Sequence, residues 1–144
     1  MNLKNYTSSV PVSSSLVRIE KRLVDMGASS TVRQYDSNKI ICGITFCIEI
    51  KGRTIAFKMP AEVEKVYAVF WKDVRNPARA NKARIQDQAE RTAWKNVSDW
   101  IDIQSSLIMM EQCEFMQVFL PYALTSLGTT VYEAFLDNPQ KLLS

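Results

Sequence analysis

The residues of this chain that could take part in chemistry are few, because the sequence contains no histidine. A chain without histidine has no Ser-His-Asp or Cys-His nucleophile, no histidine general base and no histidine-containing zinc site. The three cysteines, Cys42, Cys47 and Cys113, are too few for a four-cysteine zinc site and are odd in number. We therefore expect packed, reduced thiols, and we expect neither a metal nor another cofactor.

One arrangement of carboxylates and a lysine is typical of an enzyme. Asp36 precedes Glu49-Ile50-Lys51, and the region resembles the core of restriction-type nucleases, whose carboxylates hold Mg²⁺ while the lysine steadies the attacking water. The resemblance implies a Mg²⁺-dependent nuclease with Asp36, Glu49 and Lys51 as catalytic residues. Two features oppose it: Asp36 lies in the turn that enters the strand of Glu49, and Lys51 lies in a hairpin turn, where lysine is common. It stays an alternative to a protein without catalytic residues.

A basic connection between two predicted helices is the main candidate for binding. Residues 72–84 carry five cations against Asp73 alone and are interrupted by Asn76-Pro77. Arginine clamps phosphate with two hydrogen bonds, and flexible basic loops track a charged backbone. The alternative is a solvated connection with Trp71 in the core. We predict phosphate contacts, with Trp71 stacking on a base, from four residues: Arg75, Arg79, Lys82 and Arg84.

Glu90 and Gln104 interrupt the apolar face of a long predicted helix, near Trp94 and Trp100. A buried carboxylate must be paired or neutralised, and a ligand pocket needs such a polar group among aromatic side chains. We predict a pocket that includes Glu90, Trp94 and Gln104. The alternative is a structural partner from another element, or exposure where the packing ends.

That long helix spans residues 81–112 and organises the predicted fold. Its apolar arc covers about half the circumference, which is wider than the stripe of a surface helix and permits a homodimer. The arc consists of Ala93, Trp94, Val97, Trp100, Ile101 and Ile108, flanked by Ile85, Ala89, Ile103 and Leu107. The opposite face has spacings that suit solvent and i,i+4 ion pairs; it reads Asp87, Arg91, Lys95, Ser98, Asp99 and Asp102.

The other elements follow from periodicity and turn residues. A helix through Leu16–Met26 precedes strands at about 30–36, 40–50 and 53–59, and a second helix follows Pro60. Thr130 and Glu133 form a capping box that starts the last helix, whereas residues 113–127 fit either a strand or a helix. The second strand points its apolar residues one way: Ile40, Cys42, Ile44, Phe46, Ile48 and Ile50. The fold class is therefore α+β, with an N-terminal helix, a three-stranded antiparallel meander and a helical C-terminal half around one long central helix.

Length and composition indicate a single domain over residues 1–144, with an extended segment at 1–11 and a loose tail at 140–144. The chain has 144 residues, is 47% hydrophobic and carries a net charge of +3. Its pI of about 8.8 permits an anionic partner without requiring one. No signal-peptide apolar region follows the N-terminal methionine, and no apolar run approaches about 18 residues. We therefore expect a cytoplasmic protein with no membrane partner.

Five segments carry a resemblance to a family of small phage and prophage proteins with no established activity. These are Asn5-Tyr6-Thr7, Phe57–Glu64, Ala89–Trp94, Asp99–Ile101 and Phe119–Tyr122. The resemblance implies a setting, a viral accessory protein in the cytoplasm of a bacterial host. Small proteins of that setting commonly bind nucleic acid, a nucleotide signal or a host defence protein.

We therefore predict a non-enzymatic phage-type accessory protein that binds an anionic partner, a nucleic acid or nucleotide signal, in counter-defence. One alternative is a protein-protein inhibitor of a host factor, using aromatic residues exposed near Trp71 or within residues 115–122. The second alternative is the Mg²⁺-dependent nuclease described above.

Overall fold

The computed structural model describes residues 2–143, so the two end positions of the predicted 1–144 domain, Met1 and Ser144, lie outside the described residues. The strands are β1 Ala28–Tyr35, β2 Ile41–Ile50 and β3 Arg53–Pro60. The helices are α1 Val12–Asp25, α2 Val63–Lys72, α3 Lys82–Met109, α4 Phe115–Phe119, α5 Val131–Asp137 and α6 Gln140–Leu143, with 3-10 turns at Pro77–Arg79 and Leu120–Tyr122. The predicted α+β fold class is confirmed.

The chain divides into two compact units. The first comprises the N-terminal residues up to Arg22 together with Ala61–Ile103, and the second comprises Leu23–Pro60 together with the residues from Gln104 onward. Within residues 2–143, α3 alone has the length to cross a membrane, and its sequence is too polar to do so.

The sheet of the second unit is an antiparallel meander in the order β1-β2-β3. Ile44, Phe46 and Ile48 alternate along β2 and are buried, as predicted. The predicted inward position of Cys42 is wrong, because the side chain is exposed. Gln34 of β1 pairs with Gly43 of β2, whereas the next residue, Tyr35, pairs with Ile41. Cys42 is therefore an extra residue of β2 at a β-bulge.

Four phenylalanines form the core over this sheet. Phe46 and Phe57 are paired across β2 and β3, with ring centroids 5.1 Å apart. Phe115 meets the ring of Phe57 edge-on at 5.3 Å, and Phe119 meets that of Phe46 edge-on at 5.8 Å. Such edge-on pairs are favourable for aromatic quadrupoles. The apolar run that fitted either strand or helix is therefore helical at Phe115–Phe119, and the helix supplies two rings to the core.

Helix α3 is buried on two faces of its first-unit portion. The apolar arc is buried at Ala89, Ala93, Trp94 and Ile101, whereas Ile103 at its edge is 55% exposed. The opposite face pairs Lys95 with Asp99 at 2.5 Å, as the i,i+4 spacing predicted. Its predicted solvent exposure is wrong at Ser98, which is 1% exposed. The reason is that other first-unit segments pack there: Arg18 and Arg22 of α1 donate to Asp102 at 2.9 and 2.7 Å.

The start of α5 follows the predicted capping box. The hydroxyl of Thr130 accepts from the backbone N–H of Glu133 at 3.1 Å, and the carboxylate of Glu133 accepts from the N–H of Thr130 at 2.9 Å. The hydrogen bond from the backbone N–H of Thr130, followed by the interaction with the Thr130 side chain, lowers the pKa of the Glu133 carboxyl. Two backbone donors that have no partner inside the helix are thereby satisfied.

We expect Thr130→Ala to lower the free energy of unfolding by about 1 kcal/mol, because the N–H of Glu133 loses its acceptor. Urea denaturation followed by circular dichroism measures the change. Thr130→Ser keeps the hydroxyl and is expected to stay within a few tenths of a kcal/mol of the wild type. An alanine variant as stable as the serine variant would contradict this role.

Candidate anion-binding site

The basic connection of residues 72–84 is a short, structured link in the first unit. Helix α2 ends at Lys72, a 3-10 turn follows at Pro77–Arg79, and α3 begins at Lys82. Pro77 suits the first position of that turn, because the backbone N–H that proline lacks would have no partner within the turn. Asn81 caps α3, accepting from the backbone N–H of Arg84 at 3.1 Å. The connection therefore holds its cations on a defined backbone.

The four cations predicted to bind phosphate are all exposed. Within residues 2–143 none of them has a carboxylate partner in an ion pair. The sequence contains no acidic residue between Asp73 and Asp87. The positive charge of this stretch is therefore available to an external anion.

Two of these cations, Lys82 and Arg84, lie in the first turn of α3, which contains no acidic residue. The N-terminal end of a helix is already positive, so cations there oppose helix stability and anions favour it. The helix end and the two side chains add their positive potentials on the same side. This arrangement costs the fold stability and favours an anionic ligand.

Trp71 is already engaged by its neighbours. Its ring lies parallel to that of Tyr67 on the same helix, with centroids 6.2 Å apart and planes inclined by 8°. The ammonium nitrogen of Lys82 lies 5.6 Å from the centre of the indole, which is within the range of a cation–π contact. A base that stacks on Trp71 must therefore share the indole with Tyr67 and Lys82.

An open groove of about 400 Å³ adjoins the basic connection within the first unit. Tyr6 and Thr7 of the N-terminal segment form one wall, and the end of α2 and the first turns of α3 form the others. Its principal lining side chains are Tyr6, Phe70, Asp73, Val74 and Arg84. We call it the Tyr6 groove. No local pattern in the sequence connects Tyr6 with Phe70 and Asp73, because Tyr6 lies far from both in the chain.

The wall that carries Tyr6 belongs to a segment, residues 4–9, that we call the N-terminal strap. Asn5 has a left-handed backbone, φ 60°, which asparagine tolerates better than most residues. Its side chain donates to Asn96 and Asp99, both at 2.9 Å, while its carbonyl accepts from the hydroxyl of Thr92 at 2.7 Å. The strap is thus bound to the polar face of α3.

A second attachment lies one turn earlier on α3. The carbonyl of Ser8 accepts from Gln88 at 3.0 Å and from Arg91 at 3.2 Å. The strap contributes Tyr6 to the Tyr6 groove and Ser8, Ser9 and neighbours to a second open groove of about 460 Å³.

The structure separates the predicted pocket residues into different environments. Glu90 lines the second groove and accepts from Gln86 at 3.4 Å. Trp94 is fully buried, and its indole N–H has no acceptor among the described residues. Gln104 is half-buried and belongs to the second unit. A pocket built around Glu90, Trp94 and Gln104 stays a prediction.

The three alternative catalytic residues are not brought together. Asp36 lies in the β1–β2 turn, where its carboxylate accepts from the N–H groups of Asn38 and Ile40. Glu49 and Lys51 lie at the other end of β2, about 26 Å away along eight residues of strand. No group of three or more acidic or cysteine side chains in residues 2–143 is placed to hold a metal ion.

The aromatic residues considered for a protein partner are mostly enclosed. Phe119 is fully buried, and Phe115 stacks on it with ring centroids 4.5 Å apart. Leu120, at 45% exposure, is the large apolar side chain of this stretch that is open to solvent. The phenylalanine rings of this segment therefore pack in the core of the second unit.

No family model, no curated protein and no solved structure matches this chain. Function must therefore be inferred from the residues themselves.

The attachment of the strap depends on the ionised form of Asp99. Burial alone would raise the pKa of this carboxyl, but hydrogen bonds from Lys95 and Asn5 and the charges of Lys95 and Lys4 outweigh it, so the pKa lies below its ordinary value. Because the folded pKa is below the unfolded one, Asp99 contributes stability above the unfolded pKa and loses it as pH falls through the folded pKa.

We expect Asp99→Asn to lower the free energy of unfolding by about 1 kcal/mol near neutral pH, and by progressively less as the pH is lowered below about 4. Urea denaturation at several pH values measures this difference. Asp87→Asn removes an exposed carboxylate of the same helix and serves as the matched control. A difference between wild type and Asp99→Asn that does not change with pH would show that the charge of Asp99 does not hold the strap.

Proposed function

We propose that this protein is a non-enzymatic accessory binding protein of phage type that engages an anionic partner, a nucleic acid or nucleotide, through Arg75, Arg79, Lys82 and Arg84. The observation that supports the proposal is the acid-free stretch between Asp73 and Asp87, whose four cations are exposed. Structural arginines on a surface usually find carboxylates nearby, and exposed pairs contribute little to stability. Among the described residues, the side chains of Arg75, Arg79 and Arg84 make no hydrogen bond, ion pair or ring contact, and Lys82 makes only its cation–π contact with Trp71.

Phosphate is the anion that this arrangement fits best. Arginine presents a planar fork that matches two phosphate oxygens, and lysine adds a point charge. The backbone N–H groups at the start of α3 add donors beside Lys82 and Arg84. Cations spread over residues 75–84 suit a chain of phosphates better than a single small anion.

The phage setting of the proposal comes from the five segments that resemble small phage and prophage proteins. A protein of that kind would work in a bacterial host, where its partner is a viral or host nucleic acid or a nucleotide signal. Interference with host defence is the role that this setting favours.

Arg79→Ala is expected to weaken binding to single-stranded nucleic acid and to reduce the slope of log affinity against log salt by about 0.7, the contribution of one phosphate contact. Fluorescence anisotropy over a salt series measures both quantities. Arg53→Ala removes an exposed arginine of β3 in the second unit and is expected to leave the slope unchanged. A flat titration of the wild type at low salt across DNA, RNA and cyclic nucleotides would remove the proposal.

Arg84→Glu is expected to raise the free energy of unfolding and to lower the affinity for nucleic acid. A glutamate three residues after Asn81 could complete a capping box and would complement the helix dipole, so the free energy of unfolding should rise by about 0.5 kcal/mol. The same change places a negative charge beside the ligand, so affinity for nucleic acid should fall about tenfold or more at low salt. Thermal denaturation and anisotropy measure the two effects.

Arg84→Gln is the matched control for this variant, since it removes the cation without adding an anion. We expect it to weaken binding less than Arg84→Glu does. A glutamate variant that loses stability, or that binds as tightly as the glutamine variant, would contradict the assigned role of this turn.

A further inference from the structure

The Tyr6 groove joins aromatic side chains to the cations of the proposed site. Tyr6 is 39% exposed, and Phe70 and Val74 add apolar surface to the same groove. Arg84 lines the groove and also belongs to the acid-free stretch. A ligand in this groove therefore meets an aromatic surface and a phosphate-binding cation together.

That combination suits a nucleobase that is attached to a phosphate backbone. Every base has a flat π-face that stacks on an aromatic ring, while arginine holds the adjacent phosphate. The groove volume of about 400 Å³ lies within the range of sites for small organic ligands. Aliphatic or purely acidic ligands would use only one of these two features.

Asp73 gives the groove a preference among bases. Its backbone N–H caps α2 by donating to the carbonyl of Phe70 at 3.1 Å, and its side chain has no hydrogen bond or ion pair among the described residues. An ionised carboxylate only accepts hydrogen bonds. Guanine offers two adjacent N–H donors to its two oxygens, whereas the carbonyl oxygens of thymine and uracil would face it with like charge.

We propose that the Tyr6 groove binds one unstacked, donor-bearing base of a single nucleic-acid strand, guanine above all, with Tyr6 against the base and Asp73 accepting from its N–H edge. This inference rests on the function proposed above, since Arg84 and the basic connection would hold the strand. A single strand is favoured because a base paired within a duplex cannot enter the groove. Arg75, Arg79 and Lys82 do not line the groove and would hold the neighbouring phosphates of the strand.

The test compares an oligothymidine strand with the same strand carrying one central guanosine, by anisotropy with the full chain. We expect the guanosine to tighten binding about fivefold and the complementary duplex to abolish that gain. Asp73→Asn should reduce the gain to less than about twofold, because an amide can pair with thymine as well as with guanine. Asp87→Asn makes the same change of charge outside the groove and should keep the full gain.

Tyr6 supplies a second, independent measurement. Tyr6→Phe keeps the ring and should retain the guanosine gain, while Tyr6→Ala should lose most of it. Circular dichroism of both variants confirms that the fold is intact.

The outcomes separate this inference from the proposed function. If Arg79→Ala weakens a salt-dependent binding but the oligothymidine and the guanosine-containing strand bind equally well, the base site is overturned. The proposed anion site is then retained. Free guanosine monophosphate competing as strongly as the guanosine strand would overturn the assignment to a single strand. No binding to any nucleic acid would overturn both proposals.

Discussion

The backbone carbonyls of the N-terminal strap must find hydrogen-bond donors, because this segment belongs to no helix or sheet that would supply them. Side chains of α3 donate to two of these carbonyls: Thr92 to that of Asn5, and Gln88 and Arg91 to that of Ser8. The carbonyl of Asn5 also accepts from the backbone N–H of Ser8. The same contacts bury one polar face of α3 and place Tyr6 where it forms a groove wall. The architecture of the first unit and the shape of its grooves therefore depend on one set of hydrogen bonds.

The first turn of α3 carries charges that oppose the stability of the helix. A helix gains stability from acidic residues in its first turn, whereas α3 carries Lys82 and Arg84 there. Helices α2 and α5 follow the stabilising rule, with Glu64 and Glu133 in their first turns. Departures from local preference concentrate at functional sites. This contrast within one chain supports the proposal of an anion site at the start of α3.

Local patterns were sufficient for much of the fold and for part of the site. The alternation of Ile44, Phe46 and Ile48 identified the buried face of β2, and Thr130 with Glu133 identified the start of α5. The cations of the site were visible as a change in composition. The pattern misassigned Cys42, because a one-residue bulge reverses the direction of a side chain without any local sign.

The sequence by itself determined the element types and the charges, because helix periodicity, strand alternation and capping are set by residues within a few positions of one another. Only the tertiary structure decided which side chains share a site. Asp99 accepts a hydrogen bond from Asn5, which lies more than ninety positions away in the chain. Ser98, on the same face of α3, is buried. Tyr6, Asp73 and Arg84 meet in one groove for the same reason: the path of the chain brings their backbones together, and no short-range pattern encodes that path.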